Sequence, residues 1–319
     1  MAIVEKTIVT SDGLSIQVMV STSQTPPVIV IESPNHKLIV DPSKITKVQL
    51  EDTSKIGSHM SRPSLGQSLA EFLKEYSINC AAEPFNRNVT CQMFLRNPNR
   101  GNDAIPDEDF EMARHVIDAN NIRFYTHAAY IINLSKPTTR TNPNSDKWIM
   151  SLLTKDLLNT SSIGGKGVVV HVGKSLKMSI SEATNKMEHY IRMALVYATE
   201  QCPLLLETAA GQGTELCTTI EGLSLLYGRF SEDEQRSFKI CVDTCHVFSA
   251  GYDPLDFLIR WDRLHPNSIG LVHFNDSDRE KGSRVDRHSH YLKGGYIGFD
   301  RLMEVARWCF DHNIDMVTE

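Results

Sequence analysis

The chain has 319 residues, 41% of them hydrophobic and 23% charged, with 33 Lys and Arg against 39 Asp and Glu for a formal charge of −6. These proportions exclude a disordered or collagen-like chain, and no run of about 18 apolar residues exists to span a membrane. Mild acidity also excludes a protein that coats nucleic acid by charge alone, while leaving room for basic loops on an acidic body.

The N-terminus, MAIVEKTIVTSDG, has no basic stretch, apolar run or small-residue cleavage site, so an intracellular, reducing compartment (cytoplasm or nucleus) is expected. Seven cysteines, Cys80, Cys91, Cys202, Cys217, Cys241, Cys245 and Cys309, contain no C-x-x-C pair. A zinc ribbon and a thioredoxin-like motif are thereby removed, and most of these residues are expected as small core side chains. Up to about residue 52 the chain is rich in Thr and Ser, is interrupted by Pro26-Pro27, and carries short β-type runs at 28–31 and 37–40. Residues 1–54 are expected as a small β-rich extension, with an unordered tail as the alternative, and residues 55–319 as the main domain.

From about residue 55 a regular alternation begins. Short β-like runs recur at IGSHM (56–60), TCQMFL (90–95), IRFYTH (122–127), GVVVH (167–171), PLLLE (203–207), FKICVD (238–243), IGLVH (269–273) and DMVTE (315–319). Stretches of helical period lie between them, such as 106–120, 181–201 with Met187, Ile191, Ala194, Leu195 and Ala198 on one face, and 299–312. Eight strand-helix repeats predict an α/β fold, a (β/α)8 TIM barrel, with a doubly wound open sheet as the runner-up. The eighth run stops at Glu319 with no helix after it, so either the chain continues beyond the given sequence or the N-terminal extension covers that side.

Barrel enzymes place their chemistry at the C-terminal ends of the strands. Here His127 ends the third run, His171 the fourth, Glu207 the fifth, Asp243 the sixth, His273 the seventh and Glu319 the eighth. His246, Asp286 and His288 follow in the adjoining loops. Any one of these alone reads as a hydrogen-bonded loop residue. Nine converging residues with four carboxylates among them require cations, because burying that much like charge is costly. Mixed imidazole and carboxylate donors suit Zn²⁺ or Mn²⁺ rather than Ca²⁺ or Mg²⁺, and the absence of Cys points to a catalytic site. Nine donors serve two or three ions, and three divalent ions against four carboxylates leave a positive mouth that attracts an anion.

The strings KICVDTCHVFSAGYD (239–253), VHFNDS (272–277) leading into GSRVDRH (282–288), LLLETAAGQG (204–213), THAAYIINL (126–134) and IGSHMS (56–61) resemble the endonuclease IV family of apurinic/apyrimidinic (AP) endonucleases. The likeness runs from about residue 55 to 319 with the motifs in the family's order. It implies a zinc-dependent TIM barrel that cuts DNA on the 5′ side of abasic sites in base excision repair and trims blocked 3′ ends. It also implies three Zn²⁺, with Mn²⁺ as an alternative for some of them. One would be held by His127, His171 and Glu207, a second by Glu207 as a bridge with Asp243, His273 and Glu319, and a third by His246, Asp286 and His288. Glu207 would further orient the attacking hydroxide. The partner implied is duplex DNA with abasic sites, read by a monomer.

Reading a missing base requires groups that enter the stack. Tyr130 matches the family's intercalating Tyr, and Arg100, in the loop FLRNPNRG, is the candidate for an inserted Arg, although that loop differs from the family's in length and contains Pro98. The segment from Arg279 to Lys293, with Arg284 and Arg287, has a local basic excess that reads either as phosphate contact or as a solvated loop. Gly211-Gln212-Gly213 reads either as a phosphate-approaching turn or as a plain turn. His59, His115, His189, His265, His290 and His312 fall outside the strand-end pattern and are read as ordinary, and Cys245 is assigned no ligand role. Two other function classes fit part of the pattern: a metal-dependent sugar isomerase or epimerase of a related barrel, and a non-catalytic DNA-binding barrel.

Overall fold

The computed structural model describes residues 3–9, 15–21, 28–33, 36–40, 56–63, 66–82, 89–102, 104–136, 144–289 and 294–319, with side chains from residue 56 onward except at 81, 82 and 145. Two compact units divide the chain. The smaller holds four strands, β1 (Ile3–Val9), β2 (Ser15–Ser21), β3 (Val28–Ser33) and β4 (His36–Val40), paired antiparallel in sequence order.

The larger unit begins with β5 (Ile56–Met60), α1 (Leu69–Ala82), β6 (Val89–Met93), α2 (Asp107–Asn120) and β7 (Ile122–His127). It continues through α3 (Ser145–Ser162), β8 (Gly167–His171), α4 (Ile180–Leu195), β9 (Leu204–Glu207), α5 (Ile220–Tyr227), α6 (Glu232–Arg236) and β10 (Phe238–Asp243). The short α7 (Thr244–Ser249), α8 (Pro254–Leu264), β11 (Ile269–His273), the two-residue pair β12 (Asp276–Ser277) and β13 (His288–Ser289), α9 (Phe299–Asp311) and β14 (Met316–Thr318) complete it. Eight parallel strands close into a barrel in the order β5-β6-β7-β8-β9-β10-β11-β14, with β14 paired to β5. The fold is therefore the expected (β/α)8 barrel, and each expected run coincides with an observed strand.

Strand period sorts the barrel side chains into two sets. Val168 and Val170, Leu204 and Leu206, and Ile240 and Val242 face outward and pack with Met187, Ile191 and Ala194 of α4 and Leu302, Val305 and Ala306 of α9. Their neighbours Val169, Leu205 and Cys241 face inward with Tyr125, Leu271 and Val317, a buried layer that fills the interior. The helices are held by ordinary end chemistry. Ser179 and Glu182 form a reciprocal capping box at α4, and Asn121 closes α2 in the left-handed conformation at φ 51°.

One boundary differs from expectation: α4 stops at Leu195 rather than near 201. Past that point the backbone tightens, with Tyr197 N–H donating to Ala194 O and Ala198 N–H to Leu195 O. The Thr199 hydroxyl then captures Cys202 N–H, and Pro203 biases Cys202 toward extended backbone, which turns the chain into β9. The described cysteines form no disulfide, and Cys91, Cys202, Cys241, Cys245 and Cys309 are buried. Among the described residues no helix is long and apolar enough to cross a membrane.

Candidate metal centre

Two residues beyond each member of the inward apolar layer lies the next inward position, at the C-terminal mouth. Tyr125 leads to His127, Val169 to His171, Leu205 to Glu207, Cys241 to Asp243, Leu271 to His273 and Val317 to Glu319. On the two remaining strands His59 of β5 and Gln92 of β6, paired with each other in register, also reach the mouth, His59 at Glu319 and Gln92 at His273 and Glu319. All eight strands thus present a polar side chain to one ring. His59 is no ordinary residue: its Nδ1 lies 2.9 Å from Glu319 Oε1.

The nine expected ligands fall into three adjacent groups, each with donor atoms within 4.8 Å of one another: His127, His171 and Glu207; Glu207, Asp243, His273 and Glu319; and His246, Asp286 and His288. Glu207 sits at their centre. Its Oε2 faces His171 Nε2 at 3.1 Å and His127 Nε2 at 3.3 Å, while its Oε1 faces His273 Nδ1 at 2.9 Å and His246 Nδ1 at 3.4 Å. The D-x-x-H spacing of 243–246 has a local cause. Asp243 caps α7, its Oδ1 accepting from His246 N–H at 2.8 Å, so both residues turn toward the mouth from one helix start.

The chemistry of the donor set tests whether cations fit. His127 Nδ1 is 2.7 Å from Ala128 O, His246 Nδ1 is 2.8 Å from Thr208 O, and His273 Nε2 is 3.0 Å from Gln92 Oε1. Each oxygen is an acceptor only, so the nitrogen facing it carries the proton and the opposite ring nitrogen presents a lone pair. Those lone pairs point at carboxylate oxygens: His127 Nε2 at Glu207, His273 Nδ1 at Glu207 and Glu319, and His246 Nε2 at Asp286 Oδ1, 3.3 Å away. His246 Nε2 and His288 Nε2 are buried with no hydrogen-bond partner. Opposed lone pairs repel unless a cation or extra protons lie between them, and a backbone or amide oxygen behind a histidine is the usual support of a metal ligand. The residues fit divalent cations.

Without metal, protons would have to do this work. Burial alone would raise the Glu207 carboxyl, but His171 and His273, with hydrogen bonds from His127 and His171, outweigh it and hold Glu207 well below the usual carboxylate range. Burial is likewise overcome at Asp286 by His246 and His288, and at Glu319 by His273 and His59, and both carboxyls are held far down. Among the imidazoles, burial is overcome at His246 by Asp243, Asp286 and Glu207, which push it well above its ordinary value. His273 is also pushed well up, against burial, by the Cys241 sulfur and the Glu319 and Glu207 carboxylates. At His127 burial wins over Glu207 and the ring is pushed down. Cys245 shares a neighbourhood with Asp243 and His288, yet burial pushes its thiol up to about 12 and its Sγ lies 3.5 Å from Arg287 O, so it remains a thiol.

The expected DNA-facing residues lie around this mouth. Tyr130 is 51% exposed, stacked on His171 at 5.4 Å and edge-on to Phe94 at 5.0 Å. Arg284 and Arg287 are exposed on the loop that carries Asp286 and His288, and Arg284 adopts φ 55°. Arg100 is exposed in the turn after β6, its backbone N–H bonded to Asn97 Oδ1. The Gly211 and Gln212 N–H groups both donate to Glu215 Oε2, so this turn is closed on itself. Lys293 and His290 lie outside the described residues.

Supporting residues that strand-end reasoning passes over are His59, Gln92, Thr208 and Asn275. Asn275 Nδ2 donates to Asp243 Oδ2 at 2.7 Å while its Oδ1 accepts from Glu319 N–H at 2.8 Å. Counting inward positions by twos along β5 and β6 would have found His59 and Gln92.

A family model described as xylose isomerase-like TIM barrel matches residues 89–307. "Probable endonuclease 4" of Symbiobacterium thermophilum is 36% identical over 225 residues, 66% of this chain and 78% of that protein. "Probable endonuclease 4" of Bacillus subtilis strain 168 is 30% identical over 259 residues, 79% of this chain and 82% of that one. The crystal structure of endonuclease IV from Thermus thermophilus superposes with a TM-score of 0.67 at 25% identity, covering 83% of this chain and 92% of that chain.

Proposed function

This chain belongs to the endonuclease IV family of xylose isomerase-like TIM barrels, and on that premise we propose that it is a metal-dependent AP endonuclease that hydrolyses the DNA phosphodiester 5′ to an abasic site. The barrel, residues 55–319, is the unit that carries the activity. The carrying observation is the opposition of imidazole and carboxylate lone pairs around Glu207, which calls for cations. In this reading His127, His171 and Glu207 would hold one zinc, Glu207, Asp243, His273 and Glu319 a second, and His246, Asp286 and His288 a third, with Mn²⁺ as an alternative in part. When bound, such ions supply Lewis acidity that activates water and offsets negative charge growing on the phosphoryl and leaving 3′ oxygens.

The chain's residues supply position rather than a nucleophile. Glu207, whose two oxygens face different histidines, would belong to two of these sites and would orient the attacking water. The backbone oxygens of Ala128 and Thr208 fix the His127 and His246 tautomers. Tyr130, standing half-exposed beside His171, enters the stack where a base is missing, with Arg100 reaching in from the turn after β6, while Arg284 and Arg287 contact phosphates. The same centre would trim blocked 3′ ends, which places the enzyme in base excision repair.

The test is cleavage of a duplex oligonucleotide carrying one tetrahydrofuran abasic analogue, with and without a strong zinc chelator and with Glu207→Gln alongside. A single cut 5′ to the analogue, lost on chelation and in the variant, is expected. A folded, metal-loaded chain that leaves the duplex intact would overturn the proposal, and turnover of a free sugar with Mn²⁺ would favour the isomerase or epimerase reading.

A further inference from the structure

Gln92 stands in the ring among the expected ligands, is wholly buried on β6, and is not a metal-ligand type. Its Oε1 lies 3.0 Å from His273 Nε2 and its Nε2 lies 2.8 Å from Glu319 Oε1. The amide orientation is set by Glu319, since a flipped amide would place its oxygen against the carboxylate Oε1. We infer that Gln92 is a positioning residue that aims two ligands of the central site at once, an inference that rests on the metal-centre reading above.

The two halves of the amide do different work. By accepting from His273 Nε2–H, Oε1 keeps the proton off Nδ1, the nitrogen that faces Glu207 Oε1 at 2.9 Å, Glu319 Oε2 at 3.4 Å and Asp243 Oδ2 at 3.7 Å. Without that acceptor, Nδ1–H donating to Glu207 becomes the better tautomer, and it has no lone pair for a metal. On the other side, Nε2 donates to Glu319 Oε1, the same oxygen that His59 Nδ1 approaches at 2.9 Å. Gln92 Nε2 also lies 2.9 Å from His59 Nδ1, so amide, imidazole and carboxylate cluster around Oε1, and Oε2 is the oxygen turned toward the site, 3.4 Å from His273 Nδ1. Because β6 lies three places from β11 and two from β14 around the barrel, one side chain ties together ligands from two other strands. Support of this kind typically changes metal affinity by about 10–100-fold.

The experiment compares the full chain with Gln92→Leu and Gln92→Glu. Zinc binding to the metal-free proteins is read by competition with a chromophoric chelator, and the histidine N–H protons of the zinc-loaded proteins are read by ¹⁵N-edited NMR. In Gln92→Leu, similar in volume, one of three zinc equivalents is expected to weaken about 10–100-fold while the other two hold, and the downfield His273 Nε2–H proton is expected to move upfield. Gln92→Glu keeps an acceptor for His273 but sets a carboxylate against Glu319, so the downfield proton should persist while the affinity falls. Three equivalents bound as in wild type by both variants, or a uniform loss at all three, would overturn the role of Gln92 and leave the metal-centre reading standing. A wild-type chain that takes up no zinc would overturn both.

Discussion

Two buried carboxylates at opposite ends of the barrel show how a structural charge differs from a functional one. Asp315, at the N-terminal end beside the start of β14, is closed by the chain itself: Arg123 Nε donates to its Oδ2 at 2.6 Å and the Tyr125 hydroxyl donates to the same oxygen at 2.6 Å. Glu207, at the mouth, has no Arg or Lys partner among the described residues. Four imidazoles surround it, and two of them are fixed by their own acceptors so that they offer lone pairs rather than protons. A permanent cation neutralises the first site through one carboxylate oxygen, Oδ1 being buried without a hydrogen-bond partner, and the second is arranged for cations that arrive from solution.

The largest expected effect follows from that exchange of protons for metal. His246 and His273 are pushed well up in the metal-free chain, so zinc must displace a proton from each wherever both are still charged. Because His273 and His246 serve different sites, linkage then sets a loss of apparent zinc affinity of about 10-fold at each of the two sites for each pH unit of acidification in that range, about 100-fold for filling both. Proton release measured calorimetrically in buffers of different ionisation enthalpy checks it, and release near zero would break the distinction between the two ends. The metal-free fold should respond in the opposite sense. Raised histidines add stability that is complete below about pH 6.5 and fades as pH rises through their raised values, whereas the depressed carboxyls of Glu207, Asp286 and Glu319 add stability that is present above about pH 4 and lost as pH falls. Melting temperature of the metal-free chain should therefore peak in mild acid, where zinc binding is weak.

Next in size, Glu207→Gln is expected to slow cleavage on the order of 10³-fold, about 4 kcal/mol of barrier, while leaving the fold intact. Asp315→Asn should do the reverse. It leaves the Arg123 charge without its partner and costs about 3 kcal/mol of stability, the lower end for a broken buried pair because Arg123 keeps contact with solvent. Thermal unfolding beside single-turnover cleavage separates the two outcomes, and a comparable activity loss in Asp315→Asn would erase the contrast.

The sequence exposed the barrel because strands buried on both faces carry apolar runs that need no context to be seen. It exposed six of the eight mouth residues because each ends such a run on a ligand-type side chain. His59 was hidden by Met60 after it, and Gln92 by its place inside TCQMFL, where nothing local marks an amide as part of a charged ring. His246, Asp286 and His288 lie in loops and stood out through motif likeness, since loop paths are not fixed by strand period. The supporting oxygens of Ala128 and Thr208 were out of reach for another reason: they are backbone atoms, present at every position and meaningful only once the fold places them. The end of α4 was missed because the apolar face continues to Ala198 after the backbone has left the helix.

Tyr130 offers the smallest effect and separates recognition from chemistry at the mouth itself. Its ring covers His171 without occupying a ligand position, and its hydroxyl, pushed up to about 12 first by burial and then by Glu319 and Glu207, stays protonated at any working pH. Neither metal uptake nor proton transfer should depend on it. Tyr130→Ala is expected to leave zinc stoichiometry unchanged and to weaken binding of abasic duplex by about 1–2 kcal/mol, the scale of one lost base-aromatic stack. Tyr130→Phe should keep most of that binding, because the face of the ring carries the stack. Fluorescence anisotropy with abasic and intact duplexes, read at fixed salt, decides the matter: equal losses on both duplexes would make Tyr130 a general DNA contact, and a loss confined to the abasic duplex would make it the group that senses the missing base.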